Sequence, residues 1–277
     1  MITDTVASLG AGMASGQRID ILTIAGIALL LMPLLTAAHE VSGHATACFA
    51  TGGKLAQIGA FYVDCQSPTD AARRIVALAG MAVDALLGAI AWLVWHRLRG
   101  DLARLIGWYC WLCLSFSAAG YFLFSGVSGI GDLGPDAGGG IGPLPHPVLI
   151  RAAFALGGGV VYFCLVRAGI RGLNVMIGTG AGTLPSRRRI AHGFYAVICG
   201  AAVLASLLNP VGVFITLASA GAASIGGKAG LISIGYANRG ADAPLPFVIA
   251  RNWPLIVAGV IATLAFAAIL GPTLALA

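Results

Sequence analysis

The chain has 277 residues, of which 58% are apolar and only 9% charged. A soluble globular domain carries roughly a quarter charged residues, so the composition excludes an ordinary soluble enzyme and predicts an all-α, polytopic bundle of transmembrane helices. The net charge of +6 comes from basic residues clustered between apolar runs, the pattern of cytoplasmic loops, and gives no sign of a nucleic-acid partner.

In chain order, residues 1–20 lack the basic leading region of a secretion signal, and the apolar stretch that follows is too long for one. Apolar runs of spanning length, about 20 residues each, are predicted over 21–48, 74–96, 104–126, 148–168, 190–208 and 253–275. A weaker, glycine-rich run at 211–227 is either a further span or a re-entrant piece, which makes six or seven spans in all. After the first run comes "TGGKLAQIGAFYVDCQSPTD", which cannot span. Its "KLAQIGAFYV" portion, residues 54–63, has strand-like composition and predicts a short extended element at the membrane surface. After the third run, residues 126–147 read "GVSGIGDLGPDAGGGIGPLPHP". Irregular backbone of this kind is tolerated at membrane depth only where it is buried in protein or lines a cavity.

Cysteines 48, 65, 110, 113, 164 and 199 fall mostly inside apolar runs, where a disulfide framework is not expected. Cys48 and the C-x-x-C pair Cys110 and Cys113 read as small side chains for helix contacts. The "RRR" at 187–189 reads as a topology anchor, and His96 and His192 as interfacial residues at span ends. If the spans alternate, one face receives Arg18, Arg97, Arg99, Arg104, Arg167, Arg171, Arg187, Arg188, Arg189, Lys228, Arg239 and Arg251, and the other Lys54, Arg73, Arg74 and Arg151. The richer face is cytoplasmic by the positive-inside rule, with the N-terminus inside. The expected setting is an integral protein of a bacterial inner membrane.

The chemistry concentrates in "TAAHEVSGHATA", residues 36–47. Glu40 is the sole glutamate of the chain and lies in an apolar run between His39 and His44. An uncompensated carboxylate within a bilayer costs several kcal/mol, so such residues face the protein interior and usually mark function. A divalent metal offsets that cost. His–Glu–His is the local chemistry of zinc peptidases, in which two histidines ligate and the glutamate takes a proton from the water that the metal activates. The alternative is a polar cluster that joins helices by hydrogen bonds. The usual H-E-x-x-H spacing puts two histidines about 40° apart on one helical face, whereas i and i+5 diverge by about 140°. The longer spacing therefore predicts a first helix that is locally wide or broken between His39 and His44, as in a π-bulge of about 4.4 residues per turn, eased by Gly43. A catalytic zinc normally has three protein ligands. Asp132 is the first candidate for the third, Asp136 the second and His146 the last; a turn or helix-cap role is the alternative for Asp132. Asp84, mid-span and expensive there, is read as facing the core, where it hydrogen-bonds a ligating histidine or the metal-bound water, serves as an alternative ligand, or pairs with a structural partner such as Ser115, Ser117 or Tyr121.

The order "HEVSGHA", "TGGKLAQIGAF", "LAGMAVDALLGA", "SGIGDLG" resembles the site-2 protease family of intramembrane zinc metalloproteases. The resemblance covers roughly residues 21–145. It implies a metalloprotease-like core at 1–145, with His39, His44 and Asp132 as zinc ligands and Glu40 as general base. Residues 146–277 would be additional helices of unassigned role. Ala79, Gly80 and Asp84 fall where the family has Ala, Gly and Asn, while Met81 replaces the family's proline and the histidines are one residue further apart. An H-E-x-x-x-H zinc motif also resembles the dipeptidyl peptidase III family. The implied activity is hydrolysis of peptide bonds in transmembrane protein substrates within the lipid bilayer, with Zn2+ as cofactor. A zinc-dependent lipid hydrolase or amidase, or a non-catalytic metal-binding membrane protein, would use the same residues. The strand-like stretch near 55–63 is expected to hold an unwound substrate by edge pairing.

Overall fold

The computed structural model describes residues 16–209 and 221–276. The chain is mostly helical, with five helices long and apolar enough to cross a membrane: α1 (Ile21–Ala50), α2 (Asp70–Trp95), α3 (Asp101–Ser128), α4 (Pro147–Ile177) and α5 (Ala181–Ser206). This is the makeup of an integral membrane protein. Two shorter helices follow, α6 (Gly230–Tyr236) and α7 (Trp253–Ile269). The run expected at 211–227 lies largely outside the described residues; its end forms a π-helical turn, Gly221–Gly226. The last run stops well short of 275. Gly271 and Pro272 end the helix, because proline disfavours helical geometry at the residue before it.

Short strands close the ends of the bundle. β1 (Gln17–Ile19) pairs in parallel with β6 (Phe247–Ile249), and β4 (Gly178–Thr179) pairs with β5 (Ala243–Pro244). The stretch expected as one extended segment is instead a hairpin, β2 (Lys54–Ile58) and β3 (Val63–Gln66), that reverses through Gly59–Tyr62. The chain's end, β7 (Leu274–Ala275), covers the other edge of β2. The far edge of β2 is thus occupied by β7 over Gln57 and Ile58, and β3 is an outer strand of this sheet.

The hairpin is also cross-linked. Cys48, near the end of α1, forms a disulfide with Cys65 of β3, which corrects the reading of Cys48 as a plain packing residue. The remaining cysteines 110, 113, 164 and 199 are free thiols.

Burial follows helical periodicity where helices face one another. On α2 the buried positions are Ala72, Val76, Ala77, Gly80, Asp84, Gly88 and Trp95, a stripe at three- and four-residue steps. The α4 helix is the opposite case, with only 6% of its most apolar stretch buried and Val148, Leu149, Leu156 and Val160 outward, as expected of a lipid-facing helix. The main core cluster takes Ile24 and Ile27 from α1, Trp108 and Phe116 from α3, Phe194 and Ile198 from α5, and Phe266 from α7. Residues 146–276 thus share the core of the first helices and form no separate one among the described residues.

Two basic residues counted as loop charges are buried. Arg187 is 1% exposed and bonds Thr183, Asn174 and the Gly178 carbonyl, so it braces the α4–α5 turn, where the sequence suggested an anchor. Lys228 is 6% exposed and donates to Ser117 inside the bundle.

Candidate metal centre

The α1 helix is not regular. It runs as α-helix over Ile21–Ala37, as π-helix over Ala38–Ala45, "AHEVSGHA", and returns to α-helix over Thr46–Ala50. The wide turn absorbs the additional residue between the histidines, so His39 and His44 point the same way in spite of their five-residue spacing. Gly43 permits this helix to lie against α2: a Cβ there would sit 2.6 Å from the Gly80 Cα. Gly80 in turn leaves space for the imidazoles, since a Cβ on it would lie 2.5 Å from both His39 Nε2 and His44 Nε2.

The two Nε2 atoms are 3.1 Å apart. Asp132 Oδ2 lies 3.3 Å from His44 Nε2 and 3.7 Å from His39 Nε2. The three potential ligand atoms fall within 4.8 Å of one another. Each imidazole is oriented from its other nitrogen. His44 Nδ1 is 2.7 Å from the Val76 carbonyl, which only accepts, so that nitrogen carries the proton. His39 Nδ1 is 2.8 Å from Asp84 Oδ2, and the Tyr121 ring stacks on His39 with centroids 4.8 Å apart. With both Nδ1 atoms donating, the neutral rings turn two lone pairs and a carboxylate oxygen toward one point. Such a convergence of acceptors calls for a cation, either protons or a metal. Two imidazole nitrogens and a carboxylate oxygen, each histidine held by an acceptor at its far nitrogen, make a donor set that suits a divalent metal ion. His39, His44 and Asp132 could thus hold a metal ion.

Asp132 reaches this point from the loop after α3. Gly131, at φ +81°, turns the chain just before it, and Arg73 of α2 donates to the carbonyls of Gly140 (2.5 Å) and Gly142, holding the loop against the helix. The sequence reading treated Arg73 as a loop charge and missed this clamp.

The other candidates sit elsewhere. Asp136 pairs with Arg151 at 3.2 Å, and Arg151 also donates to the Gly126 and Val127 carbonyls at the end of α3. Asp136 is thereby used in fixing the loop and takes no part in the cluster. His146 stands at the start of α4 with φ 52°, outside the cluster. Asp84 bonds His39, the first of the roles the sequence suggested for it.

Glu40 lies beside the cluster and is 4% exposed. Its Oε2 has no hydrogen-bond partner among the described residues. It borders a cavity of about 400 Å³ lined also by His44, Asp132, Val63, Asp64 and Tyr121. A buried carboxylate oxygen with nothing to bond costs roughly 1–3 kcal/mol or more, so the group calls for a partner such as an ordered water or an ion. Comparison with protein families, with curated proteins and with solved structures finds no match to this chain.

Proposed function

We propose that the chain is an intramembrane metallopeptidase that hydrolyses peptide bonds of membrane-protein substrates. The observation that carries this reading is the unpartnered, buried Glu40 carboxylate oxygen beside the His39–His44–Asp132 cluster, on a cavity large enough for a short peptide stretch. When bound, zinc supplies Lewis acidity, polarising a carbonyl and making a water acidic enough to attack near neutral pH. His39, His44 and Asp132 would hold it, and Asp84 and the Val76 carbonyl orient the imidazoles from their far nitrogens. Glu40 Oε2 accepts the proton of the attacking water as its oxygen bonds to the scissile carbonyl carbon, then passes it to the nitrogen as the C–N bond breaks.

A helical substrate must unwind first, because its carbonyls are bonded within the helix. β3 is the edge where an unwound segment would add, since Val63, Asp64 and Cys65 line the cavity and the far side of β2 is occupied by β7. The site opens to the non-cytoplasmic side in this reading. The arginine asymmetry favours that side even without the buried Arg187 and Lys228, and the Cys48–Cys65 disulfide at the cavity suits an oxidising compartment.

The test uses the purified full chain in lipid, with Glu40→Gln beside the wild type. The expected result is that both hold zinc and only the wild type cleaves transmembrane peptides. Cleavage by Glu40→Gln, or a wild-type chain that hydrolyses lipid amides and no peptide, overturns it.

A further inference from the structure

A groove of about 690 Å³ runs along α2, α3 and α4, and it shares no lining residue with the cavity beside Glu40. α3 packs against both neighbours, which hardly touch one another. Its residues Trp111, Ser115 and Ala118 form the floor, between walls supplied by α2 at Ala85 and Ala89 and by α4 at Gly157. Those three wall residues are exposed, so the groove opens outward, on the side where the membrane lies against the lipid-facing α4.

Length and polarity select the occupant. The lining runs from Met81 to Trp92 on α2 and from Trp111 to Phe122 on α3, about 16 Å of helix in each case. On α4 it runs from Ala153 to Ala168, about 22 Å. A hydrocarbon core is roughly 30 Å thick, so the groove follows one leaflet and falls short of what a partner helix crossing the membrane would cover. At the inner end Phe122 and Phe154 meet edge to face, with centroids 5.2 Å apart. Toward the other end, Trp111 is 3% exposed, and its indole N–H has no acceptor among the described residues. A buried donor left without an acceptor is costly. An acyl chain brings no acceptor, but the ester carbonyl at its head does.

The mouth beyond Trp111 is basic. α4 passes beside the α2–α3 turn there: the Trp108 indole donates to the Gly169 carbonyl at 3.1 Å, and the Trp95 indole to the Arg104 carbonyl at 3.0 Å. This brings Arg97, Arg99 and Arg104 to the same end as Arg167 and Arg171. Arg171 continues the groove-lining stripe of α4 one turn past Ala168, and Arg104 that of α3 two turns before Trp111. None of these five guanidiniums makes a hydrogen bond or ion pair among the described residues. The one carboxylate of these segments, Asp101, accepts from the Val248 amide. We propose that the groove binds an anionic glycerophospholipid of the leaflet at the arginine-rich end. An acyl chain lies over Ala118 and Ala89 toward Phe122, an ester carbonyl accepts from Trp111 Nε1, and the phosphate sits among the arginines. The proposal is independent of the metallopeptidase reading.

The test counts lipids retained by the full chain in detergent, by native mass spectrometry, with phosphatidylglycerol or phosphatidylcholine of identical acyl chains. The wild type should keep one phosphatidylglycerol and prefer it by about tenfold or more. Glycerol phosphate without acyl chains should not displace it. Arg104→Gln with Arg171→Gln should lower the preference about fivefold or more, and Trp111→Phe should weaken both lipids about threefold. Ala89→Phe, which fills the groove from an exposed wall, should abolish retention, whereas Leu86→Phe, on α2 outside the groove, should not. Should Ala89→Phe fail to fold, Gly157→Phe is read in its place, since a Cβ added at Gly157 meets nothing within 4 Å. Equal retention of the two lipids overturns the proposal, as does retention that survives filling of the groove. A dimer that Ala89→Phe dissociates also overturns it, and makes the groove an interface between two copies.

Discussion

Two histidine-bearing π-helical turns in this chain use the same backbone device to different ends. One is Ala38–Ala45 in α1, and the other is Arg188–His192 in α5. Each widens a membrane-length helix, and each sets an imidazole against a glycine of a facing helix, Gly80 in the first and Gly235 in the second. In the first turn two histidines face one point with Asp132, and their far nitrogens are held by acceptors. In the second, His192 Nε2 itself meets a backbone carbonyl, that of Ile232 at 3.0 Å, and the ring packs on Tyr236. Arg188 lies over the same tyrosine. The second turn is satisfied within the chain and the first is not. A π-helical widening is thus no mark of a site by itself; converging acceptors that lack a donor are.

That contrast can be broken by mutation. The largest effect is expected from His44→Ala, which should lower zinc affinity by about a hundredfold or more by removing one of three ligands. His192→Ala should leave the zinc content unchanged, as read by elemental analysis of purified protein. Next comes Gly80→Ala, whose Cβ would meet both ligating nitrogens at 2.5 Å. It should cost about 1–3 kcal/mol of stability by overpacking and expel the metal as well. Gly235→Ala, which crowds His192 in the same manner, should cost stability alone, and thermal denaturation with and without zinc separates the two. Asp84→Leu removes the acceptor that orients His39 and should weaken zinc by about 10–100-fold, whereas Asp84→Asn, which keeps an acceptor oxygen, should lose less.

The smallest effect lies at the start of α1, where Asp20 caps the helix by accepting from the Thr23 amide at 2.9 Å and pairs with Arg251 at 2.9 Å. Burial acts to raise this carboxyl, but the bonds from Arg251 and Thr23 hold it below its ordinary value. Its folded pKa is depressed, so the contribution is present above the unfolded value, about 3.9, and is lost as pH falls through the folded one. Asp20→Ala should cost about 1 kcal/mol at neutral pH and nothing in strong acid. A wild-type and variant difference that persists in acid would remove the charge from this account.

Much of the site was legible because it is local. The five-residue spacing of His39 and His44 announced a widened helix, since no regular α-helix brings i and i+5 together. The single glutamate drew attention to this stretch, and the glycine-rich run after α3 is where Asp132 joins the two histidines. What was not legible depends on long-range placement. Cys48 and Cys65 meet only because the hairpin turns at Gly59–Tyr62, which periodicity over residues 54–63 does not reveal. Arg73 and Arg187 look like topology charges until the carbonyls they hold are known. Lys228 reads as a loop residue because the segment around it is short and rich in glycine, yet that segment folds inward against Tyr162. The end of α7 was legible at Gly271-Pro272 and was overridden by the apolar composition of the residues beyond it.

The central claim is that one metal ion is shared by His39, His44 and Asp132. Diffraction data collected on crystals of the zinc-loaded chain, above and below the zinc absorption edge, test it most directly. A single anomalous peak bonded to His39 Nε2, His44 Nε2 and an Asp132 carboxylate oxygen is the predicted result. No peak there, or a zinc ion held by other residues while the two imidazoles stay paired with each other, would contradict it.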